Sequence, residues 1–183
     1  MNLYFDTEFT GLKKDTTLIS IGIIAENGEK FYAEFTDYDW DAVHGDKWIL
    51  ENVVNKLHYR KRESEKVYMP NYHIGTKATV SEMFKNWLKQ FDEVQFVSDV
   101  CHYDMVLLID IFGGAFDLPK NVSAVCHDIN QDIARYYGIS EREAFDKSRE
   151  DIVSELYGRF IAGDKHNALY DAEVIKAIYK KIN

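Results

Sequence analysis

Asn27-Gly28 stands between two runs that read as strands, residues 17–25 and 30–36, and it narrows the possible folds more than any other stretch of the chain. A tight hairpin turn of the favoured hand needs residues that accept positive φ, which Asn and Gly do at low cost. The two runs therefore pair antiparallel. A third strand-like run, residues 2–6, precedes them, so the chain opens with a three-stranded antiparallel meander.

The rest of the chain has a different rhythm. Helix-like spacing of Trp48, Ile49, Val53, Val54 and Leu57 marks a helix over 46–58, and a polar connection containing Pro70 and Gly75 then runs to about residue 78. Thr79 and Glu82 have capping-box spacing, and Val80, Met83, Phe84, Trp87, Leu88 and Phe91 share one face of a helix over 79–91. A strand over 94–98, a helix over 104–112, a strand over 122–125 and a helix over 128–137 closed by Gly138 follow. Residues 140–163 read as mainly helical, and His166 opens a last helix reaching about residue 181. Alternating strands and helices imply parallel later strands. The expected fold class is α/β, a mixed sheet of about five strands with the meander in it and helices flanking it. No repeat, low-complexity tract or linker divides the chain, so residues 1–183 are expected to form a single domain.

The meander also carries an oddity. Asp6 and Glu8 follow the apolar lead-in Leu3-Tyr4-Phe5 and precede a Thr10-Gly11 turn. Burying an unpaired carboxylate costs several kcal/mol or forces it to neutralise, so something must offset that cost, either a basic partner or a metal ion. In a strand the two side chains project from one face, about 7 Å apart at the backbone. The spacing by itself is weak, since Glu141 and Glu143 repeat it. Asp104 is a second candidate, at the start of a helix after a short strand, where ligands of open α/β sheets bind. Asp99 is its rival, as a cap or a ligand, whereas Asp110 lies too far round the helix to share its direction. A third candidate is His166 with Asp171. The same spacing recurs at His127 and Asp132, for which capping and surface roles are the simpler reading, but Ala168 and Ala172 would let the C-terminal helix approach the sheet closely.

A net charge of -9 argues against a protein that coats nucleic acid by electrostatics alone. It is compatible with a nucleic-acid enzyme whose carboxylates hold cations, since the metals invert the local field. Lys56, Arg60, Lys61 and Arg62, with Tyr59 and Tyr68, could form a stacking patch for single strands, but Glu63 and Glu65 interrupt it and a solvated face is the simpler reading. Cys101 and Cys126 lack metal-site spacing and read as small buried hydrophobes. With no membrane-length apolar run and no secretory layout at the N-terminus, the expected location is cytoplasmic.

Together the acids and the histidine suggest phosphodiester cleavage. Two divalent ions about 4 Å apart can activate a water and stabilise a leaving oxygen, four carboxylates suit Mg2+ or Mn2+, and a histidine can take the water's proton. The order Asp6, Glu8, Asp104, His166, Asp171 resembles the DEDDh 3'-5' exonucleases, which have an RNase H-like fold, and the resemblance covers nearly the whole chain. Tyr4-Phe-Asp-Thr-Glu-Phe9, Leu18-Ile-Ser-Ile-Gly22, Tyr103-Asp-Met-Val-Leu107 and His166-Asn-Ala-Leu-Tyr-Asp-Ala172 are most similar to the RNase AS type, a relative of RNase T and oligoribonuclease. The resemblance implies Asp6, Glu8, Asp104 and Asp171 as ligands of two Mg2+ ions, replaceable by Mn2+, and His166 as general base. It also implies Phe9, Thr10 and Leu12 as contacts to the terminal nucleotide, and a homodimer. Many DEDDh members carry His-Asn five and four residues before the third acid, where this chain has Asp99-Val100; the aromatic-Asp-x-x-Leu core favours Asp104. The expected function is a metal-dependent exoribonuclease releasing nucleoside 5'-monophosphates from the 3' end of single-stranded RNA. The alternatives are a DNA exonuclease using the same residues and a non-catalytic nucleic-acid-binding module.

Overall fold

The computed structural model describes residues 1–60 and 70–183. Lys61, Arg62, Glu63, Glu65 and Tyr68 of the candidate basic patch lie outside the described residues. Among those described, six strands, β1 (Asn2–Phe9), β2 (Leu18–Ala25), β3 (Lys30–Phe35), β4 (Tyr72–Gly75), β5 (Val94–Ser98) and β6 (Val122–Asp128), form one sheet in the order β4-β3-β2-β1-β5-β6. β1, β2 and β3 make the expected antiparallel meander. β4, β5 and β6 each join parallel to a neighbour.

The sheet has one strand more than expected. Tyr72–Gly75 pairs with the edge of β3 from inside what reads as a polar connection, with Tyr72 against the ring of Tyr32 at 4.4 Å. Four residues carry too weak a pattern to announce a strand, and the open edge beside them decides.

Eight helices lie among the described residues: α1 (Trp40–Gly45), α2 (Lys47–Asn52), α3 (Lys77–Leu88), α4 (Cys101–Phe112), α5 (Ile129–Tyr137), α6 (Glu141–Asp146), α7 (Arg149–Tyr157) and α8 (Ala168–Ile182). The single helix expected over 46–58 is instead α2 followed by 3-10 turns at Val54–Lys56 and His58–Arg60. Its start is set by Asp46, which accepts from the amides of Trp48 and Ile49. The capping box at Thr79 is also displaced: α3 begins a turn earlier, with Thr76 accepting from the Thr79 amide, while Glu82 pairs with Lys85 on the surface.

Alternation along the strands divides the core in two. Leu3 and Phe5 of β1 pack with Phe84 of α3 and Leu108 of α4, while Tyr4 and Val97 face Ile133, Ile152 and Ile175 from α5, α7 and α8. α8 sits unusually close to the sheet at Gly22. A Cβ on Gly22 would fall 2.2 Å from the Leu169 amide nitrogen and 2.3 Å from the Ala168 carbonyl carbon. Ala168 and Ala172 are fully buried there, as their small size anticipates. Gly22 is the cross-strand partner of Asp6, so this contact sets α8 beside the acidic strand. No helix among the described residues is long and apolar enough to cross a membrane.

Candidate active site

The carboxyl ends of β1 and β5 open into a cleft of about 600 Å³ lined by Asp6, Glu8, Asp99, Asp104, His166 and Asp171, among others. Asp6 and Glu8 point to the α8 side of β1, and a register shift falls between Glu8 and Phe9. Such a bulge re-aims side chains next to functional sites. Carboxylate oxygens of Asp6, Glu8 and Asp171 lie within 4.8 Å of one another, and so do those of Asp6, Asp99 and Asp104. Asp6 belongs to both groups. The arrangement therefore offers two adjacent cation positions sharing one ligand.

Asp104 is the most deeply set, at 1% exposure in the first turn of α4. Thr7 donates its hydroxyl to one carboxylate oxygen at 2.6 Å, and Ser98 donates to the other. β1 and β5 thus fix its orientation jointly. Asp171 enters from the first turn of α8 and accepts the backbone N–H of His166 at 2.9 Å. That bond accounts for the spacing of the two residues: the chain turns through a positive φ of 63° at His166 before Asn167 caps the helix. The turn brings His166 Nδ1 to 4.0 Å from Glu8 and sets its ring edge-on to Trp48 at 4.9 Å.

The electrostatics are those of a site short of positive charge. Burial pushes the Asp104 carboxyl up to about 7 against the pull of its hydrogen bonds from Ser98 and Thr7. It does the same to Asp171, also to about 7, with the charge of Asp99 adding to the rise. Asp6 is held well above the carboxylate range by burial, then by Asp104, Asp171 and Glu8; Glu8 is raised by burial, then by Asp171 and Asp104. Burial, then Lys165 and Lys56, depress His166, which keeps the imidazole neutral at neutral pH. Converging oxygens that resist sharing negative charge fit hard divalent cations.

The other sequence candidates fall into place around this cluster. Asp99 does not cap α4: its carboxylate receives Arg149 Nε at 2.8 Å while facing Asp6 and Asp104. Arg149 is held in turn by Asn130 and the carbonyls of Ala144 and Lys147. Asp110 pairs with Lys77 on the surface. The second His-Asp copy closes on itself, His127 bonding Asp132, and Asp132 is buried and bound by Arg135 rather than lying on the surface. Phe9 stacks on Tyr103 at 5.3 Å and Leu12 is 76% exposed, both at the cleft. Thr10 is buried, and its hydroxyl takes the Thr17 amide at 2.9 Å, which makes it a turn residue. Thr7, Ser98 and Arg149 carry no pattern in the sequence that marks them; only the folded neighbourhood does.

The chain is similar to known nucleases in sequence and in fold. The chain is 26% identical over 131 residues to the 3'-5' exoribonuclease Rv2179c of Mycobacterium tuberculosis (strain ATCC 25618 / H37Rv), spanning 72% of this chain and 73% of that one. Among solved structures, the nuclease domain of 3'hExo, a DEDDh family member bound to rAMP, superposes with a TM-score of 0.64 at 13% identity, covering 97% of this chain and 88% of that one. A 3'-exonuclease solved in recognition of the histone mRNA stem-loop gives 0.59 at 13% identity, over 97% of this chain and 61% of that one. These likenesses show that the chain has the fold of these nucleases, the RNase H-like fold. The family model of the 3'-5' exoribonuclease Rv2179c-like domain matches residues 1–183, and the chain belongs to that family.

Proposed function

We propose that this protein is a metal-dependent 3'-5' exoribonuclease that releases nucleoside 5'-monophosphates from single-stranded RNA. The observation that carries the reading is the pair of carboxylate groups that share Asp6 and line the cleft. Of the five carboxylates in these groups, Asp6, Glu8, Asp104 and Asp171 would hold two Mg2+ ions, for which Mn2+ would substitute, while Asp99 is paired with Arg149. Bound there, such ions supply the activation of a water and the stabilisation of a leaving oxygen.

The residues of the chain do the rest. Thr7 and Ser98 hold Asp104 in one orientation, so its ligand atom needs no ordering when substrate arrives. His166, neutral and pinned through its backbone to Asp171, accepts the proton of the attacking water. Phe9 and Leu12, which line the cleft with the acids, take the terminal nucleotide, with Thr10 shaping the turn that presents them. The fit of a 3' end rather than an internal segment is supported by the family and by the neighbours, one bound to rAMP and one solved in 3'-end-specific recognition of an mRNA stem-loop. The protein acts as a homodimer in the cytoplasm; light scattering on the purified chain should give twice 21.4 kDa.

The direct test uses a 5'-labelled single-stranded RNA with Mg2+, beside an EDTA control, a 3'-blocked copy and a matched DNA. A ladder shortening from the 3' end, absent with EDTA and with the block, is expected, and slower cleavage of DNA. A His166→Ala variant should lose about 10²–10⁴-fold in turnover while keeping the rise in melting temperature that Mn2+ produces in the native protein. Cleavage of DNA alone would make the protein a DNA exonuclease, and cleavage of neither would leave a binding module.

A further inference from the structure

Two cysteines outside the cleft face each other where α4 meets β6. Cys101 is the first residue of α4, and Cys126 lies in β6 opposite Phe96 of β5. Their Sγ atoms are 2.9 Å apart, unbonded, and both residues are half-buried, where the sequence reads as small buried hydrophobes. Cys101 Sγ also donates to the carbonyl of His127 at 3.1 Å and approaches that of Ser98 at 3.6 Å. The reaction proposed above uses neither thiol.

We propose that Cys101 and Cys126 are a redox modification site that closes reversibly to a disulfide under a low-molecular-weight disulfide such as oxidised glutathione. The sulfurs already sit inside ordinary non-bonded contact, so forming the bond requires them to approach by only about 1 Å. The Cys101 thiolate attacks one sulfur of the oxidant, the oxidant's S–S bond breaks, and one glutathione thiolate leaves with the electron pair. Cys126, having released its proton to solvent, then attacks the Cys101 sulfur and expels the second glutathione. The protein loses two hydrogen atoms and the oxidant becomes two thiols.

The bond would form beside the acidic cluster. Cys101 and Asp104 share the first turn of α4, and Ser98, whose carbonyl faces Cys101 Sγ, orients Asp104 through its hydroxyl. Oxidation thus ties the turn that presents this carboxylate covalently to the neighbouring strand.

The test is made on the whole reduced protein in EDTA, so that its readouts do not depend on nuclease activity. After incubation with oxidised glutathione, intact mass should fall by two hydrogens, a non-reducing digest should join the peptides bearing Cys101 and Cys126, and dithiothreitol should reverse both. The oxidised form should melt about 5–10 °C higher. A Cys126→Ser variant should stop at one glutathione on Cys101. Two thiols that stay free in the folded protein under this oxidant, or linkage only between chains, would overturn the proposal.

Discussion

An Asp104→Asn variant is expected to lose RNA cleavage by about 10³-fold or more, and yet, freed of metal at pH 8, to melt higher than the native protein. Asn is nearly isosteric, and it can accept from the Thr7 hydroxyl and donate to Ser98 Oγ, the two groups that hold Asp104. What it removes is one charge from a crowded site. The sign follows from linkage. The Asp104 carboxyl, raised to about 7 in the fold, binds its proton more tightly than in the unfolded chain. The stability this gives is present in full below about pH 4 and is lost as pH rises through about 7. The same holds for Asp171. The metal-free native protein should therefore lose melting temperature between pH 5 and 8, and Mn2+ should restore it most at pH 8. The metal-free variant should exceed the native protein by on the order of 5 °C at pH 8, with little difference at pH 5. Differential scanning calorimetry at the two pH values, with and without Mn2+, checks all three statements. Native-like cleavage by the variant would remove Asp104 from the ligand set.

The second large effect lies at a residue without a functional group. Gly22→Ala places a methyl 2.2–2.4 Å from three backbone atoms of Ala168 and Leu169, which cannot move aside as a flexible side-chain tip would. Either α8 lifts from β2 or the domain does not fold. A cost of about 4 kcal/mol or more is expected, a drop in melting temperature of more than about 8 °C. Any folded fraction should cleave poorly, because α8 carries Asp171 and the turn before it carries His166. An Ala substitution at Gly28, whose added Cβ meets nothing within 4 Å although its φ is +101°, is the control: strained, but with the α8 contact and the site intact. A Gly22→Ala protein with native melting temperature would mean that α8 docks less closely than described.

The meander was legible because Asn27-Gly28 and the apolar runs beside it are local signals, and the acidic site because Asp6 and Glu8 interrupt a strand that has no other reason to hold them. The parts that were not legible are set by tertiary contacts. β4 exists only because β3 offers an edge. The 46–58 segment breaks where Val53 and Val54 turn inward to the core rather than continue one helix. Asp99 could be read as a cap or as a ligand; what decides against the cap is Arg149, fifty residues away in sequence, and no spacing rule reaches that far. The departure from the usual DEDDh pattern at Asp99-Val100 thus corresponds to an extra carboxylate with its own dedicated guanidinium.

β1 runs between β2 and β5, bonded to both, whereas His166 stands in a turn outside any strand or helix. Amide hydrogens of a central strand exchange with solvent only when the domain unfolds, while those of a turn exchange through local opening. The two halves of the site therefore differ in what it takes to displace them. Moving the imidazole costs the opening of one turn. Moving Asp6 or Glu8 costs the sheet.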